Sequence, residues 1–214
     1  MRTAQPEDSY ALGAARPLTR AFYDRDPRKV ARDLLGKVLV RHEGKHLLAG
    51  RIVETEAYLG KDDPAAHSAA GRTLRNAVLF GPPGHAYVYL IYGNHFCLNV
   101  SCLPEGDAGG VLFRALEPIA GIEQMARARG VASDSRRLIA SGPGKLAEAL
   151  GITRLRDNGK DLTSSDLMIV DDGFRPAEIA STARVGITKA VEEQLRYVVA
   201  GSEFLSKPVR RRRR

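Results

Sequence analysis

"YVYLIYGNHFCLNVSC", residues 87–102, reads as two strands folded back on one another. Tyr87 to Tyr92 and His95 to Cys102 are rich in aromatic and aliphatic residues, and Gly93-Asn94 between them is a two-residue turn signal. Pro82-Pro83-Gly84 introduces the pair. Alternation puts Tyr87, Tyr89 and Ile91 on one face and Val88, Leu90 and Tyr92 on the other. Tyr92 stands against the turn, so its ring projects near the hairpin tip, where a large aromatic gains little from burial. Two uses stay open for it: a wedge pushed into a base stack, or a rim folded back on the core.

Upstream of the hairpin, Lys37–His42 and Leu47–Tyr58 read as successive strands joined at Glu43-Gly44. Downstream, Gly110–Leu116 is expected to be a strand that ends before Pro118. Phe22, Val30, Leu34 and Leu35 fit an amphipathic helix over Ala21–Leu35, interrupted near Pro27 and closed by Gly36. Two more helices are expected over Ile119–Arg129 and Gly144–Leu150. The last third carries short apolar runs at Leu167–Val170, Thr182–Ile187 and Arg196–Val199 between polar loops. No repeat or long linker interrupts the pattern. It predicts one α+β domain on a largely antiparallel sheet, with surrounding helices and a protruding hairpin. Residues 1–17 read as a flexible arm, 18–208 as the domain and 209–214 as a basic, disordered tail.

Composition narrows the partners. The chain has 214 residues, 43% of them hydrophobic, which suits one folded domain and excludes a disordered protein. No apolar run approaches the roughly 20 residues that cross a bilayer, and no secretory signal is expected from the acidic, Pro6-containing start. Cys97 and Cys102 lie an odd number of positions apart in one strand, so they face opposite ways and no disulfide is expected. These features together lead to the expectation of a soluble intracellular protein. Lys and Arg number 33 against 25 Asp and Glu, a formal net charge of +8, with Arg210–Arg214 supplying much of the excess. A terminal charge run is commonly a solvated tail, but the basic balance favours polyanion partners.

The chemistry-bearing residues begin at "RIVETEAYLG", 51–60. Period-2 geometry points Glu54, Glu56 and Tyr58 one way and Val53, Thr55 and Ala57 the other. Two carboxylates beside a tyrosine is an unusual face for a strand with apolar neighbours, although a solvent-facing strand presents the same pattern. Arg114 interrupts Val111-Leu112-Phe113, where a charge is costly unless paired; Glu56 is an available partner. Asn99 lies between Leu98 and Val100, and His67 sits in the loop "DDPAAHSAAGR". His95-x-Cys97 with Cys102 lacks the ligand count and spacing of a zinc site, and zinc-deaminase spacing is missing too. "SGPGKL", 141–146, lacks the glycine spacing and the Ser or Thr of a nucleotide-hydrolysing loop. Its glycine-rich backbone, opening a helix, can still hold a phosphate on free N–H groups.

Together, "LLGKVLVR" (34–41), "RIVETEAYLG" (51–60), "AAHS" (65–68), "YVYLIYG" (87–93), "FCLNVS" (96–101), "VLFRALEP" (111–118), "SGPGKL" (141–146) and "ARVGI" (183–187) resemble, in order, the alkyladenine (3-methyladenine) DNA glycosylase family. The resemblance spans roughly residues 20–208. It implies a curved sheet, double-stranded DNA with damaged purines as partner, no cofactor and no metal. By the same resemblance Glu56 is the general base that activates water and Arg114 helps hold that water. Tyr58, His67 and Tyr89 wall the flipped base, Asn99 crowds the amino group of a normal guanine, and Tyr92 is the intercalating wedge. Asn94 and His95 depart from the bulkier residues of mammalian members. No lysine nucleophile is implied, so the expected product is an abasic site in an uncut strand. A monomer without membrane contact is expected, acting in the cytoplasm at a bacterial nucleoid or in a eukaryotic nucleus.

Elementary chemistry agrees with those roles. Breaking an N-glycosidic bond develops positive charge on the sugar, which a carboxylate stabilises while it deprotonates water. A cationic alkylated purine between aromatic rings gains cation–π attraction. Stacking on the order of 1–3 kcal/mol per base is comparable with the few kcal/mol that flipping costs. Two other readings compete: a non-catalytic damaged-DNA binding module of the same fold, which would need Glu56 or the aromatic cage to be missing, and a hydrolase or transferase for another substrate, which leaves Tyr92 unused.

Overall fold

A computed structural model describes residues 15–209. Its first half runs β1 (Arg16–Pro17), α1 (Arg20–Tyr23), α2 (Pro27–Asp33), β2 (Val38–Glu43), β3 (His46–Tyr58), β4 (Ala86–Ile91) and β5 (His95–Cys102). There follow β6 (Gly109–Ala120), α3 (Ile122–Ala128), α4 (Arg136–Ala140), α5 (Pro143–Ala149) and α6 (Arg154–Asp157). The chain closes with β7 (Leu167–Asp171), β8 (Ile179–Thr182) and β9 (Arg196–Val199). The α+β reading holds: the strands join one sheet in the order β1-β7-β2-β3-β6-β5-β4, with β9 pairing β3 and β8, and the strand pairs are antiparallel. Arg16 and Pro17, at the end of the stretch read as an arm, pair with Asp171 and Val170. Residues 1–14 and the arginine run Arg210–Arg214 lie outside the described residues.

Apolar side chains on one face of the sheet meet α2, α3, α4 and α5. Val30, Ala31 and Leu34, spaced for one helical face, join Ile52, Ala57, Leu98, Val100, Phe113 and Leu146 in the main core. The break at Pro27 is real: Asp26 caps α2 by accepting from the Arg28 amide at 2.8 Å, and Pro27 sits at the first turn, where no N–H is needed. Thr55 ties the sheet to this helix through Oγ1, donating to the Ala31 carbonyl at 2.9 Å.

The long β3–β6 pair carries two compensating slips. Ile52 faces Leu116, Glu54 faces Ala115 and Thr55 faces Phe113, so Val53 on β3 and Arg114 on β6 are each passed over. Strict alternation therefore fails at Val53. That side chain joins Ala115, Val198, Phe204 and Leu205 on the face opposite the helices, not the side of Thr55 and Ala57. Bulges of this kind re-aim side chains and gather beside functional sites. Here the re-aimed residue is Arg114.

Three expectations need correction. The turn of the hairpin is centred on Tyr92 and Gly93, not Gly93 and Asn94: the Asn94 amide donates to the Ile91 carbonyl at 3.4 Å, with φ of 53° at Tyr92 and 76° at Gly93. Successive positive φ values suit the strand twist, and they lift Tyr92 out of β4. The strand after the hairpin does not stop before Pro118 but continues to Ala120. Pro118 lies where the pairing slips between Ala49 and Gly50, an irregularity of the kind at which a sheet accepts a residue without an N–H donor. Finally, the helix expected over Ile119–Arg129 begins at Ile122, because Ile119 and Ala120 extend β6. The apolar run Thr182–Ile187 is strand at Thr182, the end of β8. Beyond it Arg184 bonds Asp63 and the Val185 amide bonds Glu56, partners that the sequence pattern does not display.

Candidate active site

On the face opposite the main core, β3, β4, β5 and β6 floor a cavity of about 640 Å³ lined by Tyr58, His67, Tyr87, Tyr89, Asn99 and Arg114, among others. Tyr92 also borders it from the hairpin turn, 84% exposed. Six of the seven expected site residues thus line one space. The seventh, Glu56, lies fully buried just behind the floor. Its Oε2 accepts from the Tyr58 hydroxyl at 3.0 Å and its Oε1 from the Val185 amide at 2.7 Å. Arg114 Nη1 stands 3.3 Å from Oε1. Each Glu56 oxygen keeps a second lone pair. Burial raises the Glu56 pKa above the ordinary glutamate value, against the lowering effects of Arg114, the Val185 amide and the Tyr58 hydroxyl.

Two residues away, Glu54 has the opposite shift. Burial would raise it as well, but bonds from Arg196 and Ser206 and the charge of Arg114 outweigh that and hold its pKa below the ordinary value. Arg114 gives its short bond, Nε to Oε1 at 2.8 Å, to Glu54. Glu56, the partner expected from the sequence, has only the longer contact.

The aromatic walls are set by the hairpin and the loop before it. Tyr87 pairs with Asn99 and Tyr89 with Cys97 across β4 and β5. The rings of Tyr87 and Tyr89 lie 5.4 Å apart, and His67 meets Tyr89 edge-on at 4.5 Å. His67 Nδ1 is 3.0 Å from the Tyr87 hydroxyl. Partial burial, then the nearby Arg75 charge, lowers the His67 pKa, favouring a neutral ring at neutral pH. Asn99 is fixed by donating from Nδ2 to the Tyr87 carbonyl at 3.2 Å. Arg75 lies 5.8 Å from the Tyr89 ring centroid, at the rim.

Several supports escaped the sequence reading. Asp63 and Arg184 form a buried two-pronged pair at 2.5 and 2.9 Å, and Arg184 covers one face of Tyr58 at 4.7 Å. Asn76 clamps the loop of His67 by donating to its carbonyl at 2.9 Å. The segment "ARVGI" contains both Arg184 and Val185, so their neighbourhood was visible although their partners were not. Gly144, in α5, allows the helix to touch the hairpin: a Cβ there would lie 3.1 Å from the His95 side chain. Cys97 and Cys102 are both buried and unpaired with each other.

A buried carboxyl group beneath an aromatic cleft, beside an arginine shared with a second carboxylate, has the character of an enzyme site. A family model described as methylpurine-DNA glycosylase (MPG) matches residues 21–203. Relatives carrying the name 3-methyladenine DNA glycosylase include one from Koribacter versatilis, 69% identical over 92% of this chain and 96% of its own. Others come from Methanoculleus marisnigri, 50% identical over 89% and 98%, and Burkholderia lata, 46% identical over 99% and 100%. The class is that of DNA glycosylases, hydrolases of base excision repair. Within it, the chain belongs to the methylpurine-DNA glycosylase family.

Proposed function

We propose that this enzyme flips an alkylated or deaminated purine out of duplex DNA into the cavity and hydrolyses its N-glycosidic bond with a water activated by Glu56. The observation that carries the reading is the setting of Glu56: a fully buried carboxylate with a raised pKa, adjoining Tyr58, Val185 and Arg114, which all line the cavity. A base with its pKa moved toward neutrality is better matched to proton abstraction. Arg114 helps to hold the water, and the ionised carboxylate stabilises the sugar cation as the bond lengthens.

Tyr58, Tyr89 and His67 then enclose the base, and a neutral His67 does not repel a cationic alkylpurine. Asn99, immobilised on the Tyr87 carbonyl, crowds the amino group of an unmodified guanine. Tyr92 fills the vacated stack, a use that suits a bulky side chain held outward by a strained turn. No lysine is assigned as nucleophile, so the product is an abasic site in an intact strand. The enzyme acts as a monomer, and its bacterial and archaeal relatives support a place beside the nucleoid.

Single-turnover assays on duplexes carrying hypoxanthine, ethenoadenine or an alkylated purine test this. Wild type should release base, with strand breaks only after alkali, and Glu56→Gln should lose at least about a hundredfold in rate while still binding lesion DNA. Tight binding without release by wild type would favour the binding-module reading.

A further inference from the structure

We propose that Glu54 is a positioning residue for Arg114, and that Ser206 holds Glu54 in place, so that the segment following β9 is part of the active site. This rests on the roles proposed for Glu56 and Arg114. Glu54 is fully buried and its two oxygens accept four bonds: Arg114 Nε at 2.8 Å, Arg196 Nε at 2.8 Å, Ser206 Oγ at 2.6 Å and the Ser206 amide at 2.6 Å. Ser206 Oγ also accepts from Arg114 Nη2 at 3.1 Å. Arg196 closes the network by donating to the Lys207 carbonyl at 2.5 Å and to Thr182 Oγ1 at 3.1 Å.

The division of the Arg114 guanidinium is what gives this network a role in the reaction. Nε and Nη2 are committed to Glu54 and Ser206, which leaves Nη1 for Glu56 at 3.3 Å. A planar fork fixed on two sides presents its third nitrogen in one direction. Unfixed, a long side chain arising from a strand bulge has rotamers that carry that nitrogen away. Glu54 does not border the cavity; it bonds Arg114, which does, and acts on the reaction through that guanidinium. Glu54 stays anionic while Glu56 is raised, a separation of two neighbouring carboxylates into distinct jobs.

A pH profile distinguishes positioning from mere structure. The charged and titratable groups around Glu56 are Arg114 from β6, Arg184 before the Val185 amide, Cys97 from β5, and Tyr58 and Glu54 on its own strand. Arg114 lowers Glu56 more than Glu54 raises it. If Glu54 holds Arg114, removing its charge frees the arginine, Glu56 titrates higher, and the acid limb of the rate moves to higher pH. If Glu54 is only a like charge nearby, the limb moves to lower pH. If it only staples the chain end, stability falls and the limb stays.

The experiment is single-turnover excision of hypoxanthine at saturating enzyme across acid to neutral pH, with melting and lesion-duplex affinity measured alongside. Glu54→Gln is expected to slow the step by about a hundredfold, with affinity little changed and the acid limb moved up. Ser206→Ala, which keeps every charge, should give a smaller loss in the same direction, and it carries the test if Glu54→Gln does not fold. An acid limb unmoved or moved down, in either folded variant, overturns the proposal. Wild type that releases no base overturns the assigned reaction instead.

Discussion

Tyr92 concentrates the physical argument at a single residue. Its φ of 53° is a left-handed conformation that a side chain makes unfavourable by roughly 1–2 kcal/mol, and its ring gains almost no burial in exchange. The proposed wedge role gives a strained, exposed aromatic at the hairpin tip a use that the free fold does not. Tyr92→Gly separates the two roles. Glycine accepts that φ freely but loses more chain entropy on folding, by about 0.5–1 kcal/mol, so thermal stability should stay within about 1 kcal/mol of wild type. Affinity for lesion duplex, read by fluorescence anisotropy, should fall clearly. A large drop in melting temperature with unchanged affinity would make Tyr92 a packing residue and remove the wedge. The aromatic identity of position 92 was legible in the sequence, but its strain was not, because the turn registers one residue earlier than the Gly-Asn signal suggests.

At the scale of elements, the site is a meeting of two loops over one strand. The loop carrying His67 is pinned at Asp63, and the loop carrying Val185 is pinned at Arg184; one buried pair therefore fixes an aromatic wall and the amide that holds Glu56. Asp63→Asn leaves the Arg184 charge buried without its partner, which should cost about 3–5 kcal/mol. Chemical denaturation gives that number directly, and cleavage by a protease should begin in one of these two loops. A cost below about 1 kcal/mol would mean that water reaches the pair and that the loops are held by something else. Here the limits of the sequence become physical. Strands β3 and β5 and the main helices were readable because burial imposes a period on adjacent residues. Asp63 and Arg184 are 121 positions apart, and Glu54 and Ser206 are 152 apart; no local period links them. The same limit explains Arg114. Its need for a carboxylate was evident, but two slips in the β3–β6 register, invisible in either strand alone, decide that Glu54 takes the shorter bond.

For the whole molecule, charge and chain end have to be considered together. The net charge of +8 includes the five consecutive arginines Arg210–Arg214, so a chain ending at Val209 retains three of the eight. Ser206 and Lys207, which complete the network around Glu54 and Arg196, lie before that point. Deleting the arginines should therefore leave the bound rate of base release unchanged while weakening DNA association. The salt dependence carries the diagnosis: for each DNA phosphate that the protein no longer neutralises, the slope of log affinity against log salt becomes shallower by about 0.9. If the run engages the duplex, the truncated chain will show a shallower slope and a proportionate loss of affinity for lesion and undamaged DNA alike, since binding to phosphates conveys no information about the base. An identical slope would assign DNA attraction to the folded surface alone. Ending the chain instead after Leu205 removes Ser206 as well, and only this truncation should slow the chemical step at saturating enzyme, because it reaches Arg114 through Glu54.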